Sequence, residues 1–334
     1  MRKVRWGIVS TAEIGMTKVT PGILKSPHSE VVALASRDLS KASAALAKLG
    51  LSNAKAYGSY EQLFADPDVD AIYNPLPNHL HVPITLAAAA AGKHVLCEKP
   101  IAITAAEAEQ LEAASKKVLL SEAFMVRHHT QWLRAREIVR SGELGRVHLV
   151  RGAFLYFLDD PANVRNLADI GGGGLLDIGC YCVLAGRFLF DAEPSRVVAL
   201  VDRDPAFRTD RLASVIADFG HGRQLSFVCG TQSAGRQTVE VFGTEASLEI
   251  VIPFNAPPDE KTAITIGSGA QRDLYRREIL PAIDQYTAQA EAFALAILGE
   301  ADFPYGIADA VVQMRVLDAI SRSERSGQWE SPLG

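Results

Sequence analysis

An α/β fold in two domains is what this sequence predicts, and three observations carry the prediction. Up to about residue 125, short β-branched runs alternate with longer helical patterns, and strand and helix in alternation require crossover connections and a parallel sheet. Beyond Gly145 the runs lengthen and partly alternate in polarity with glycine turns between them, the pattern of a mainly antiparallel, open sheet in an α+β arrangement. The length, 334 residues, exceeds what one ordinary core covers, so two domains are expected, 1–124 and 125–334. The C-terminal helix is a candidate to pack back on the first of them.

In chain order, residues 5–9, 31–36, 71–73 and 94–97 read as strands. Helical spacing and good helix formers fill 40–49, 60–64, 81–91 and 105–115. In the second half, 147–157, 196–201, 213–219, 224–229, 238–242 and 247–252 read as strands, with Gly220-His221-Gly222 and Gly243-Thr244-Glu245 as hairpin turns. A helix over 173–190 covers one face of that sheet. Residues 255–271, rich in Pro, Gly and charge, are expected to form a long loop, and helices over 282–298 and 308–323 close the chain.

Several classes are excluded. The net charge is −5 and Lys and Arg are scattered, so no basic footprint for nucleic acid exists. The apolar run behind the basic N-terminus breaks at Ser10, Thr11 and Glu13, too soon for a secretory signal. No stretch reads as the ~20 apolar residues that a bilayer requires. Cys97, Cys180, Cys182 and Cys229 lie in apolar surroundings and read as reduced thiols, which makes the cytoplasm the expected compartment. No metal is expected, because the side chains of adjacent His128 and His129 diverge and Cys180 and Cys182, two apart on a helix, do not face one centre. No Gly-x-Ser-x-Gly elbow suggests a serine hydrolase.

On a parallel sheet, ligands bind beyond the carboxyl ends of the strands, where Ser10, Ser36, Asn74 and Glu98 fall. Gly7-Ile8-Val9-Ser10-Thr11-Ala12-Glu13-Ile14-Gly15 joins the first strand to the first helix, the place where a glycine-rich turn sets a pyrophosphate on a helix N-terminus. The fingerprint is imperfect, with Ser10 where the second glycine is expected. At the end of the second strand, Ser36, Arg37 and Lys41 supply a hydroxyl, a guanidinium and an ammonium. Arginine matches phosphate bidentately, so NADP is favoured over NAD, with Asp38 left as the acidic alternative that accepts from a free ribose hydroxyl.

The densest chemistry is in Gly171-Gly172-Gly173-Gly174-Leu175-Leu176-Asp177-Ile178-Gly179-Cys180-Tyr181. Four glycines are costly inside regular structure and imply a tight approach to something. Behind them Asp177 and Tyr181, four apart, share a helix face. Lys99 follows the strand 94–97 and is locked by Pro100. Lysine, tyrosine and aspartate make a candidate proton-transfer set, the alternative being a helix-capping Asp177 and a core Tyr181.

Together, Trp6-Gly7-Ile8, Asn74-Pro75-Leu76-Pro77-Asn78-His79-Leu80-His81, Gly92-Lys93-His94-Val95-Leu96-Cys97-Glu98-Lys99-Pro100, Glu122-Ala123-Phe124, Gly142-Glu143-Leu144-Gly145 and the glycine-rich helix start resemble the Gfo/Idh/MocA oxidoreductase family over nearly the whole chain. Tyr181, where many relatives place histidine, resembles the branch of dihydrodiol dehydrogenases, NADP-dependent xylose dehydrogenases and glucose-fructose oxidoreductases. The resemblance implies a Rossmann domain followed by a sheet domain that covers the nicotinamide and forms a homodimer or homotetramer interface. It implies catalytic roles for Lys99 and Tyr181, a cis Lys99–Pro100 bond, and hydride transfer between NADP and an aldose such as xylose or glucose, or a cyclic trans-diol.

Asp177 would orient the lysine or bind a substrate hydroxyl. The expected cofactor contacts are Gly7, Ser10, Thr11, Ala12, Ile14, Ser36, Arg37, Lys41, Pro75, Leu76, Asn78, His81, Glu98 and Lys99, with Asn78 and His81 at the nicotinamide ribose. Arg127, His128, Trp132, Asn163 and Arg165 are candidates for the substrate pocket, the arginines having surface ion pairs as their alternative. Two other functions stay open: a ketoreductase on a nucleotide-linked or phosphorylated sugar, and a non-catalytic NADP-binding sensor.

Overall fold

The computed structural model describes residues 2–269, 271 and 275–333. Its strands are β1 (Val4–Val9), β2 (Ser29–Ala35), β3 (Lys55–Tyr57), β4 (Ala71–Asn74), β5 (His94–Cys97), β6 (Leu120–Glu122), β7 (Leu149–Phe157), β8 (Arg196–Arg203), β9 (Asp210–Asp218), β10 (Gln224–Gly230), β11 (Gln232–Phe242), β12 (Ser247–Ile250), β13 (Thr262–Gly267) and β14 (Arg276–Leu280). Its α-helices are α1 (Thr20–Lys25), α2 (Leu39–Lys48), α3 (Tyr60–Ala65), α4 (His81–Ala90), α5 (Ala105–Glu109), α6 (Glu112–Ser115), α7 (Thr130–Ser141), α8 (Cys180–Phe190), α9 (Gln285–Leu298) and α10 (Ile307–Ser326). The chain divides into two compact units, Met1–Met125 with Asp284–Val311, and Val126–Ile283 with Val312–Gly334. Residues 284–311, counted above with the second domain, cluster with the first.

In the first unit six parallel strands run in the order β3-β2-β1-β4-β5-β6, a doubly wound Rossmann sheet whose strand order reverses between β1 and β4, where such folds place their ligand. Trp6, Ile8, Leu34, Tyr73 and Leu96 fill the core from the sheet, and α9 closes one side through Phe293 against Trp6, ring centroids 5.5 Å apart. The expected helix over 105–115 is broken into α5 and α6. Strands β3 and β6 were not visible in sequence, since three residues leave no alternation to read.

The second unit holds eight strands in the order β14-β13-β12-β11-β7-β10-β9-β8, antiparallel except for the β7/β10 pair. The Gly220-His221-Gly222 turn joins β9 to β10 with all three residues at positive φ. The expected loop over 255–271 is corrected in part: Thr262–Gly267 forms β13 between β12 and β14, because Ala263, Ile264 and Ile266 bring it buried apolar surface. Within that segment Ala270 lies outside the described residues.

One face of this sheet is covered by α8, where Gly152 approaches Cys182 and Gly186 approaches Leu225. The other face is open and carries Leu200 (78% exposed) and Ile216 (45% exposed). Residues 168–190 are long and apolar enough to cross a membrane, but 89% of the apolar window within them is buried inside the protein, the condition of a core helix. All four cysteines are free and buried.

Candidate active site

The first unit carries the residues expected to hold a nucleotide. At the end of β1, Ser10 stands in the left-handed region with φ 68, a conformation that glycine adopts without penalty and serine does not. Its amide donates to the Ala35 carbonyl at 2.8 Å, and its own hydroxyl accepts from the Ala12 amide at 3.2 Å. The turn expected of a second glycine is thus made by a serine that satisfies part of it with its side chain. Thr11, Ala12 and Ile14 lead from it into Gly15, where a Cβ would meet Tyr73 and Pro75.

At the end of β2, Ser36 is buried and its amide donates to the Tyr57 carbonyl, whereas Arg37 and Lys41 are exposed. Asp38 is the N-cap of α2 and accepts from the Ser40 amide at 2.8 Å and the Ser40 hydroxyl at 2.6 Å. Those Ser40 bonds hold its carboxyl below the usual range. Its carboxylate is committed to the helix, and the cationic Arg37 and Lys41 stay at the strand end.

At β4 and β5 the strand ends are tied together. Asn74 accepts from the Leu76 amide and donates to the His81 carbonyl. His81, expected at the nicotinamide ribose, has no exposed surface here, and its Nδ1 and Nε2 each lie 2.6 Å from a carbonyl, those of Pro100 and Leu76. Burial pushes its pKa down to about 4 against the two carbonyl contacts, which favour the charged ring; the neutral ring has one N–H and donates to one of the two carbonyls. Glu98 accepts from the Tyr73 hydroxyl at 2.7 Å and from the Lys99 amide, and the Lys99–Pro100 bond is cis. Asn78 opens a short 3₁₀ turn, Asn78–Leu80, capped by Pro77 without a side-chain bond.

The second unit carries the other candidate set. The glycine run wraps a carboxylate that sequence reading missed. Gly173 sits at φ 120, and a Cβ there would overlap Asp210 of β9. A Cβ at Gly172 would strike the Arg165 and Leu167 carbonyls, which already accept from Gly173 and Gly172. The run leads into a π-helical turn, Leu175–Gly179, and then α8.

Asp177 accepts from the Tyr156 hydroxyl at 2.6 Å and from Arg165 Nε at 2.9 Å, so the structure brings Asp177 and Arg165 together and adds Tyr156. Burial, and then Asp177, push the Tyr156 hydroxyl far up. Tyr181 is buried with its ring against Phe154 and Phe254, centroids 5.8 and 5.5 Å away. Buried Gln313 of α10 supports the same helix, donating to the Cys180 carbonyl at 2.7 Å and accepting from Arg187.

Among the substrate candidates, Trp132 is corrected to a core residue. It has no exposed surface, donates to the Pro253 carbonyl and packs on Phe188 and Phe254. Asn163 caps the turn Val164–Asn166 by accepting from the Arg165 amide. Arg127 is buried, and His128 beside it is pushed down to about 4 by burial and then by that guanidinium. Of the residues missed in sequence, Tyr73 and Tyr156 sit on strands like any core aromatic, and Asp210 meets Leu175 across 35 residues with no local motif.

A Rossmann sheet with a charged strand end, together with an antiparallel unit bearing a buried tyrosine one turn beyond a carboxylate, defines the class: a nicotinamide-nucleotide oxidoreductase in two parts. Residues 4–124 match the oxidoreductase family with an NAD-binding Rossmann fold, and residues 132–249 match the GFO/IDH/MocA C-terminal domain. The chain belongs to the GFO/IDH/MocA oxidoreductase family.

It is 44% identical to an uncharacterized oxidoreductase of Rhizobium meliloti, covering 99% of this chain and 100% of that one. It is 37% identical to D-xylose 1-dehydrogenase (NADP(+)) 2 of Haloferax volcanii, over 96% of this chain and 98% of that protein. The crystal structure of KijD10, a 3-ketoreductase from Actinomadura kijaniata in complex with NADP and TDP-benzene, superposes with a TM-score of 0.89 at 28% identity, over 96% of this chain and 98% of that one.

Proposed function

We propose that this protein is an NADP-dependent dehydrogenase that oxidises a sugar, an aldose such as xylose or glucose, or a cyclic trans-diol, with Lys99, Tyr181 and Asp177 as its reacting groups. The strongest support is the full-length likeness to the NADP-dependent xylose dehydrogenase. At the end of β2, Asp38 is turned to the α2 cap while Arg37 and Lys41 stay exposed, a donor set that fits a 2′-phosphate.

NADP⁺, when bound, supplies the hydride acceptor. Tyr181 takes the proton of the substrate hydroxyl. A free phenol, with a pKa near ~10, is too weak a base at neutral pH, and a neighbouring ammonium favours the phenolate; that role falls to Lys99. Tyr73 fixes Glu98, and His81 lies against the Pro100 carbonyl, so both flanks of Lys99 are held. Tyr156 and Arg165 hold Asp177 in place to receive a second hydroxyl of the substrate.

The likeness to a 3-ketoreductase supports a second reading, reduction of a nucleotide-linked sugar. A panel of aldoses, cyclic diols and a nucleotide-linked 3-ketosugar, read as NADPH formed or consumed, separates the readings. Turnover of a free aldose or diol is the expected result. Turnover of the nucleotide-linked ketosugar alone replaces the main reading with the second, and tight NADP binding without any turnover replaces both with a sensor.

The open sheet face, with Leu200, Leu212 and Ile216 exposed, supports assembly of a homodimer or homotetramer through it, and four buried free thiols fit the reducing cytoplasm. Solution mass of Leu200→Glu/Ile216→Glu against the wild type tests the assembly, the expected result being a smaller species.

A further inference from the structure

We propose that Asp210 is a positioning residue of the reaction: its carboxylate, reaching from β9 into the glycine run, fixes the turn from which Asp177 and Tyr181 follow. This rests on the assignment of Tyr181 to the chemistry. Asp210 is 5% exposed, and its Oδ2 accepts from the Leu175 amide at 2.5 Å. Leu175 opens the π-turn that carries Asp177 and runs into α8 with Tyr181.

Gly173 has room for no side chain because Asp210 occupies that space, and a Cβ at Gly174 would touch the same carboxylate and Thr231. On its other side the run is held by the carbonyls of residues 165 and 167, and Arg165 itself donates to Asp177. The turn is gripped between a backbone loop and one ionisable group. An ionised acceptor makes the stronger bond to an N–H, so losing the charge slackens one side of that grip.

The groups facing Asp210 are Arg203 of β8, which is paired with Glu324 of α10, together with Tyr156 of β7 and Cys229 of β10. Burial outweighs the Leu175 bond and the Arg203 charge, and the carboxyl is pushed up to about 6. A folded-state value above the exposed one means that the native form prefers the proton. The stability contribution is complete below the unfolded value near ~4 and is lost as pH rises through about 6. At neutral pH the protein therefore keeps a buried charge against its own stability, next to the helix of Tyr181.

Asp210→Asn keeps the shape and an acceptor for Leu175 but does not ionise. In the full-length protein saturated with NADP, the variant is expected to melt above the wild type at pH 8 and level with it near pH 4. Its kcat at pH 8 is expected to fall ~10-fold or more with NADP affinity within ~2-fold, and its activity is expected to lose the wild-type decline below pH ~6. Hydrogen exchange of the amides over 175–181 at pH 8, read without turnover, is expected to quicken. A normal kcat with the wild-type acid limb, unchanged exchange, or a lower melting point at pH 8 overturns the proposal. If Tyr181→Phe proves fully active while exchange in Asp210→Asn still quickens, the assignment of Tyr181 has failed and the carboxylate clamp has not.

Discussion

At the turn after β1, Ser10 stands at φ 68 and closes part of the loop with its own hydroxyl; at the turn before α8, Gly173 stands at φ 120 against a carboxylate that fills the space of its missing side chain. The first turn is tight because of its backbone path, so a small polar residue can replace glycine at a modest penalty. The second is tight because another group has moved in, and nothing with a Cβ replaces it. A run of glycines that looks like a cradle for a ligand is here a socket for the protein's own Asp210. An imperfect glycine fingerprint, by contrast, still makes the turn expected at a nucleotide.

Substitutions distinguish the two turns. Gly173→Ala has the largest expected effect, a loss of ~3 kcal/mol or more, since it adds backbone strain and an overlap with Asp210 together. Denaturant unfolding reads it, and a loss under ~1 kcal/mol would show that Asp210 moves aside freely. Next is Arg37→Ala, expected to weaken NADP ~10–100-fold while NAD changes ~2-fold or less, as befits the loss of a charge-assisted phosphate contact. Calorimetric titration of both nucleotides checks it, and equal loss for both would refute the 2′-phosphate role. Smallest is Ser10→Gly. Relief of left-handed strain and loss of the Ala12 bond nearly cancel, so stability is expected to move by less than ~1 kcal/mol and NADP affinity by less than ~3-fold. A larger loss would make the serine hydroxyl a ligand contact in its own right.

Legibility in sequence followed the range of the forces involved. Strand β5 was readable to the residue because His94-Val95-Leu96-Cys97 is bounded by a glycine turn and a proline, whereas β3 and β6 are too short to show a period. Strand β13 hid in a segment whose composition said loop, and only its pairing with β12 and β14 makes it a strand.

Among the candidate residues, the tight approach demanded by Gly171 to Gly174 was readable, but its partner was not, since Asp210 lies 35 residues from Leu175 and no local rule links them. The same holds for Tyr156 on Asp177 and Tyr73 on Glu98, side-chain bonds made only after the sheets form. A histidine and a tryptophan near a strand end or helix start suit a binding surface and a core equally, and the burial of His81 and Trp132 is set by packing that no local pattern shows.

Tyr181 is the group proposed to take the substrate proton. Single-turnover NADPH formation by Tyr181→Phe, with the best substrate of the panel and saturating NADP⁺, tests it most directly, because that change deletes one oxygen and leaves the packing against Phe154 and Phe254 in place. The predicted result is a rate lowered ~10²–10⁴-fold with NADP affinity within ~2-fold of the wild type. A rate within ~3-fold of the wild type would contradict it.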